Sequence, residues 1–215
     1  MTKSITVLIS GRGSNLKALF AASQQDDAPF QINSVISNRS EAAGLEWAAS
    51  QSIDTKVLDH KSFDSKADFE TALHEELIAS QTDYVCLAGF MRLLSSAFVS
   101  RWRGKILNIH PSLLPSFEGL APHQRALDAG VRISGCTVHF VSEEMDGGPI
   151  IAQMAVPVLK SDTEETLSAR ILKAEHVTYA KALSAVCSGS VSWESGKNAR
   201  ISNDLKYGLH AFLES

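Results

Sequence analysis

The chain runs to 215 residues, 44% of them hydrophobic and 20% charged, with a formal net charge of −4. This composition excludes a disordered chain and supports one globular domain with a full-sized core, alone or with an appendage. The acidic balance, without a dense cluster of Lys and Arg, excludes the basic footprint of a protein whose main partner is DNA or a large RNA, although backbone amides can still hold a small anion. Cys86, Cys136 and Cys187 form an odd, widely spaced set with no C-x-x-C pair, the pattern of reduced, partly buried thiols. The first apolar run, Ile5 to Ile9, is too short for a signal-peptide core or a membrane span, which predicts a cytoplasmic chain with no membrane association.

Along the first half, short β-branched runs alternate with segments of helical period, the signature of successive βαβ units and a mostly parallel sheet. Ile5 to Ser10, Ile32 to Ser37, Thr55 to Leu58 and Tyr84 to Leu87 read as strands covered on both faces by crossover helices. Asn15 to Gln24 places Leu16, Leu19 and Phe20 on one helical face, and Lys66 to Ser80 places Phe69, Leu73 and Leu77 at a spacing of four. A fifth strand is expected over Lys105 to Asn108, ending at His110-Pro111, where proline stops the ladder.

Ser112 to Leu120 reads as a long ordered loop before a short helix near His123 to Ala129. Ile133 to Val141 and Ile150 to Val158 then form a predicted antiparallel hairpin around the turn-rich connection Glu143 to Pro149, which makes the sheet mixed. Asp162 followed by Glu165 marks the start of a helix running to about Val186, with Asp162 expected to cap its free amides. A short strand over Val191 to Glu194 precedes a tail of weak periodicity to which no function attaches. The expected fold is α/β: a Rossmann-like N-terminal half with parallel strands, extended to a mixed sheet by a C-terminal β-hairpin, with helices on both faces.

Three features carry chemistry. Ser10-Gly11-Arg12-Gly13-Ser14-Asn15-Leu16 follows the first strand and opens the first helix, where open α/β sheets place ligands. It lacks the third glycine of a dinucleotide fingerprint and the Gly-Lys-Ser/Thr of a P-loop, but the backbone amides of Gly13, Ser14 and Asn15 suit a single phosphate as well as a plain tight turn. Asn108 and His110 lie two apart at a strand end and leave the same face of the chain, where an amide donor and an imidazole suit attack on a carbonyl; taken alone, such a pair is more often a cap or core-edge feature. Asp146 sits in a glycine-flanked loop as a turn former, and a hairpin lying beside the fifth strand brings its carboxylate to His110.

His110, His139 and Asp146 also raise a metal site of two histidines and a carboxylate, but their spacing disfavours it, and His139 between Val138 and Phe140 reads as a satisfied strand histidine; no metal is expected. Without a G-x-S-x-G elbow, a Ser-His-Asp hydrolase has little support.

Asn108-Ile109-His110-Pro111-Ser112-Leu113-Leu114-Pro115, Gly135-Cys136-Thr137-Val138-His139-Phe140-Val141, Asp146-Gly147-Gly148-Pro149-Ile150-Ile151 and the N-terminal Ile9 to Leu16 together resemble the folate-dependent formyltransferase family, from about Ile5 to Leu183. The resemblance implies transfer of a formyl group from 10-formyltetrahydrofolate to the amine of glycinamide ribonucleotide in purine biosynthesis. It implies a catalytic trio of Asn108, His110 and Asp146, phosphate binding by Gly13, Ser14 and Asn15, and Glu175 facing the ribonucleotide. It further implies a folate subsite in which Met91, Arg92, Leu93 and Leu94 wall the pterin, Asn108, Ser142 and Glu143 lie beside it, and Lys66 meets the acidic tail.

Two departures stand out: Gln124-Arg125 where the family often has glutamine second, and Tyr179-Ala180 in place of a common Tyr-Pro. The expected organisation is a formyltransferase domain over 1–190, with a phosphate-binding half over 1–100 and a catalytic and folate half over 101–190, then a strand and tail over 191–215, acting as a monomer or weak homodimer. Formyltetrahydrofolate hydrolysis and a non-catalytic phosphoribosyl-ligand binder are the alternatives. A hydrolase is expected to carry an added N-terminal regulatory domain, and a binder has no need of the trio. Methionyl-tRNA formyl transfer is disfavoured by the length and charge.

Overall fold

The computed structural model describes residues 2–196 and 198–201. Its main sheet is built from β1 (Lys3–Ile9), β2 (Phe30–Ser37), β3 (Asp54–Val57), β4 (Tyr84–Leu87), β5 (Ile106–His110), β6 (Ile133–Phe140) and β7 (Ile150–Pro157), in the order β3-β2-β1-β4-β5-β6-β7. The first five strands are parallel, and β6 and β7 are antiparallel additions at one side. This is the mixed α/β sheet expected from the alternation of strand and helix patterns. Because β1 leads leftward to β2 and β4 lies to its right, the order reverses between β1 and β4, the crevice where such sheets receive ligands.

Residues alternate between two apolar cores, one on each face. The helices α1 (Ser14–Ser23), α2 (Ala43–Ser50), α5 (Pro122–Asp128) and α6 (Glu164–Cys187) cover the face that buries Val7, Cys86, Leu107 and Val138. On the other face, α3 (Lys66–Ala79) and α4 (Ser96–Arg101) bury Leu8, Val85 and Ile106 through Phe69, Leu73, Phe98 and Trp102. Cys86, Cys136 and Cys187 are free and buried, and burial pushes the first two thiols up to about 12 and about 11, so they are protonated and unreactive.

Four sequence expectations need correction. The third strand is not covered on both faces: β3 is a polar edge strand exposed at all four positions. Strand β5 continues past Asn108 to His110, because the antiparallel ladder pairs Asn108 with His139 and His110 with Thr137 up to the proline. Asp162 does not cap α6: Thr163 is the cap, in a reciprocal pair with Thr166, while both Asp162 carboxylate oxygens bind the Arg170 guanidinium at 2.6 and 2.8 Å. The strand after Gly189, β8 (Val191–Ser195), is not followed at once by a featureless tail but pairs with β9 (Asn198–Ile201) in a separate two-stranded sheet. The rest of the expected tail, residues 202–215, lies outside the described residues. Helix α4 carries no sequence forecast; at six residues it is too short for periodicity to reveal. Among the described residues, no helix is long and apolar enough to cross a membrane.

The 24-residue α6 passes without interruption through Ala180, the position where the family pattern has proline. Next to it in the chain, fully buried Tyr179 directs its hydroxyl at the carbonyls of Leu87 and Leu107, at 3.1 and 3.0 Å. The helix is thereby tied to the ends of β4 and β5. Tyr179→Phe removes this donor, and urea denaturation of the variant is expected to give a loss of about 1–2 kcal/mol; an unchanged midpoint would show that the tie contributes nothing.

Candidate active site

Asn108 and His110 share the sheet face of Ile106, because side chains alternate along β5, and the facing β6 residues on the same side are His139 and Thr137. The connection from β6 to β7 then folds back over this face. Gly148 makes the fold-back possible: a Cβ there would lie 1.8 Å from the Phe140 carbonyl oxygen. Asp146 takes a left-handed backbone conformation, φ 53°, within the loop, and its carboxylate returns to the end of β5.

The result is a compact polar group. Asp146 Oδ2 lies 3.4 Å from His110 Nδ1 and accepts the Gly119 N–H at 2.9 Å, with the side chain 11% exposed. His110 Nε2 lies 3.0 Å from the Phe117 carbonyl oxygen and donates to it. The two ring nitrogens of His110 thus face two different acceptors, a carboxylate and a loop carbonyl.

His139 sets the amide beside it. Its Nδ1 lies 2.9 Å from the Phe140 carbonyl and donates there, which leaves Nε2 as the acceptor for Asn108 Nδ2 at 3.2 Å. Burial lowers the His139 pKa below its ordinary value, against the opposing pull of Phe140 and Asp146, so the ring is neutral near pH 7 and this pattern of donors is maintained. The second N–H on Asn108 Nδ2 is not used by His139. The 3.8 Å from His139 Nε2 to Asp146 Oδ1 is too long for a hydrogen bond.

The loop carrying Phe117 is held from both ends. Buried Thr137 donates to the Ser112 carbonyl at 2.7 Å and accepts the Leu114 N–H at 3.0 Å, while Gln153 Nε2 donates to the Leu114 carbonyl and to Thr137 Oγ1, both at 2.9 Å. At the far end Arg125 donates to the Glu118 carbonyl and stacks over the Phe117 ring, 5.8 Å from its centroid. The unusual arginine of the Gln124-Arg125 pair thus helps present Phe117 to His110, while Gln124 bonds Asp128 within α5.

At the end of β1, two strands from β5, Gly13 adopts φ 71° and opens α1, whose first-turn amides have no side-chain cap. Buried Asn15 donates to Glu175 Oε2 on α6 at 2.7 Å and leaves its own Oδ1 without a partner among the described residues. Burial raises the Glu175 carboxyl above its ordinary value, partly offset by the Asn15 bond.

The segment after β4 leaves Met91 and Leu93 each 68% exposed, with Arg92 exposed and Leu94 turned toward the core. On the β6–β7 loop, Ser142 Oγ donates to the Glu144 carbonyl at 3.1 Å and Glu143 accepts from Ser100 at 2.7 Å. Lys66 is exposed at the start of α3, 3.8 Å from Glu70. Among the described residues, no group of three or more His, Cys, Asp or Glu is placed to hold a metal ion.

Thr137 and Gln153 are the neighbours that sequence reasoning missed, whereas His139 is the satisfied strand histidine expected of it. The only sequence signal was that Thr137 sits inside a recognisable motif, one alternate position from His139.

A doubly wound sheet with an Asn-x-His strand end and a hairpin-borne aspartate defines a formyltransferase scaffold, and the formyl transferase family matches residues 3–183: the chain belongs to that family. It is similar to the phosphoribosylglycinamide formyltransferase of Escherichia coli (strain K12), 46% identical over 175 residues that cover 81% of this chain and 82% of that one. A trifunctional purine biosynthetic protein adenosine-3 of Bos taurus is 52% identical over 197 residues, 92% of this chain, but the chain spans only 19% of that relative's length. Among solved structures, glycinamide ribonucleotide transformylase 1 from Symbiobacterium toebii superposes with a TM-score of 0.90 at 44% identity, covering 94% of this chain and 95% of that one.

The Glu175 environment has a measurable signature. A carboxyl whose pKa is raised on folding gives stability below its ordinary value of 4.5, and that stability is lost as pH rises through the folded value. Glu175→Gln still accepts from Asn15 but cannot ionise, so its melting temperature relative to the parent is expected to rise between about pH 4 and pH 8. A difference that stays flat over this range would place Glu175 in a water-like setting.

Proposed function

We propose that the chain transfers the formyl group of 10-formyltetrahydrofolate to the amine of N1-(5-phosphoribosyl)glycinamide, giving the N-formyl product and tetrahydrofolate in purine biosynthesis. The observation that carries this reading is the grouping of Asn108, His110 and Asp146 at the end of β5, beside a glycine turn and an exposed apolar segment. Each part suits a piece of the reaction.

The free first-turn amides at Gly13, Ser14 and Asn15 suit a phosphate, and Glu175 with the unpartnered Asn15 Oδ1 suits the polar ribonucleotide beyond it. Met91 and Leu93 offer apolar surface for the pterin, Arg92 and Leu94 complete that wall, and Ser142 and Glu143 border it. Exposed Lys66 suits the acidic tail. The chain acts as a monomer or weak homodimer on these two small molecules.

In the reaction the neutral amine attacks the formyl carbon, the carbonyl oxygen takes up negative charge, and the bond to the folate nitrogen breaks as that nitrogen receives the proton lost by the amine. The free Asn108 N–H donates to the oxyanion. The His110 Nε2–H joins it by leaving the Phe117 carbonyl, and Asp146 holds the ring through Nδ1 and relays the amine proton through water. The substrate is the nucleophile, so the protein contributes position and charge rather than a covalent intermediate.

Asp146→Asn is expected to lower kcat by about 10² to 10⁴ with folate affinity nearly unchanged, the range for lost acid–base assistance, measured by absorbance of released tetrahydrofolate. Asn108→Ala is expected to cost about 10² to 10³ in kcat; a rise confined to KM would reduce Asn108 to a binding group. The same assay without the ribonucleotide separates transfer from hydrolysis, since release that ignores the amine would overturn the proposed acceptor.

A further inference from the structure

We propose that Ser10 and Glu70 are positioning residues of the folate subsite, clamping the two ends of the segment 89–95 so that its apolar side chains are already set when the folate arrives. The inference rests on the reading of that segment given above, and it concerns two residues that do not themselves face the ligand.

The segment between β4 and α4 belongs to no helix or strand, so no backbone ladder fixes its shape. Phe90 and Leu94 pack against the core beneath α3 and α4, while Met91, Arg92 and Leu93 point outward. Exposed apolar side chains on an irregular segment lose considerable entropy if they are ordered only on binding, and that cost weakens affinity. Here the ordering is supplied in advance by two polar clamps.

At the first end, the Met91 N–H donates to Ser10 Oγ at 2.8 Å, across a separation of 81 residues. The Ser10 hydroxyl has one proton, and it goes to Asn38 Oδ1 at 2.5 Å, which turns a lone pair toward Met91. Asn38, 1% exposed, is held in turn by His60, whose Nδ1 lies 3.2 Å from both Asn38 Nδ2 and the Asn38 carbonyl. This bond spans the sheet reversal between β1 and β4.

At the second end, Glu70 on α3 accepts the Ser95 N–H at 2.6 Å through Oε1 and the Ser95 hydroxyl through Oε2. Glu70 is 7% exposed, with Lys66 as its nearby cation at 3.8 Å. A carboxylate that far from water is costly unless both oxygens are satisfied, and here both are directed at one loop residue. Ser95 then caps α4 through the Phe98 N–H, so the end of the segment and the start of the helix are fixed together.

The clamps are tested in the full chain with Ser10→Ala, Ser10→Thr, Glu70→Ala and Glu70→Gln, by steady-state kinetics in both substrates and by amide hydrogen exchange without ligand. Ser10→Ala is expected to raise the KM for 10-formyltetrahydrofolate about tenfold, the effect of one lost hydrogen bond expressed as affinity, and Glu70→Ala, which removes two, by at least about tenfold, with kcat within about twofold and the KM for the ribonucleotide unchanged in both. Exchange should accelerate about tenfold at the Met91 amide in the first variant and at the Ser95 amide in the second. Ser10→Thr, which keeps the hydroxyl, should restore both readouts, and Glu70→Gln, which keeps one acceptor, should fall between. An equal rise in the ribonucleotide KM, a fall in kcat with the folate KM unmoved, or unaltered exchange would overturn the clamps. A parent chain that turns over no formyl folate while Ser10→Ala still accelerates exchange would overturn the functional reading and leave the clamps standing.

Discussion

The antiparallel pairing of β5 with β6 is the interaction on which the rest of the site depends. A purely parallel sheet leaves His110 at a strand end with solvent above it. Adding β6 in the opposite direction sets His139 against Asn108 and Thr137 against His110, and sends the chain back over the same face with Asp146 in its loop. One register therefore fixes the amide orientation, the loop anchor and the carboxylate together. A slip by one residue would turn all of these side chains to the opposite face.

Polar groups this deep are tolerated because each meets a partner. Neutral His139 takes the Phe140 carbonyl on one side and Asn108 on the other, so burial that disfavours its charged form also keeps its donor and acceptor in fixed places. Thr137 bonds Ser112, Leu114 and Gln153, satisfying a stretch of loop backbone that would otherwise face an apolar wall. Glu175 accepts from Asn15, and burial outweighs that bond in raising its carboxyl above the ordinary value.

Much of this was legible in the chain. β-branched runs marked β1 and β4 because strands covered on both faces are continuously apolar, which the exposed edge strand β3 is not, and the turn-rich stretch from Glu143 to Pro149 marked the hairpin that carries Asp146. The unforecast α4 has too few residues to show a period, and β5 ran past its forecast end because its ladder depends on a strand more than twenty residues away. Asp162 looked like a cap because aspartate commonly serves as one, yet Arg170 two turns along the helix offers it a stronger, bidentate partner. Ser10, Glu70, Thr137 and Gln153 left no local mark, since their importance lies in partners distant in sequence.

His110 Nε2 donates to the Phe117 carbonyl of the neighbouring loop, and Nδ1 faces Asp146 at 3.4 Å. The Nε2 proton of this imidazole is committed to the loop backbone. In the proposed reaction an incoming carbonyl oxygen competes with the Phe117 carbonyl for that proton, so the loop that shapes the site also sets how readily His110 gives it up.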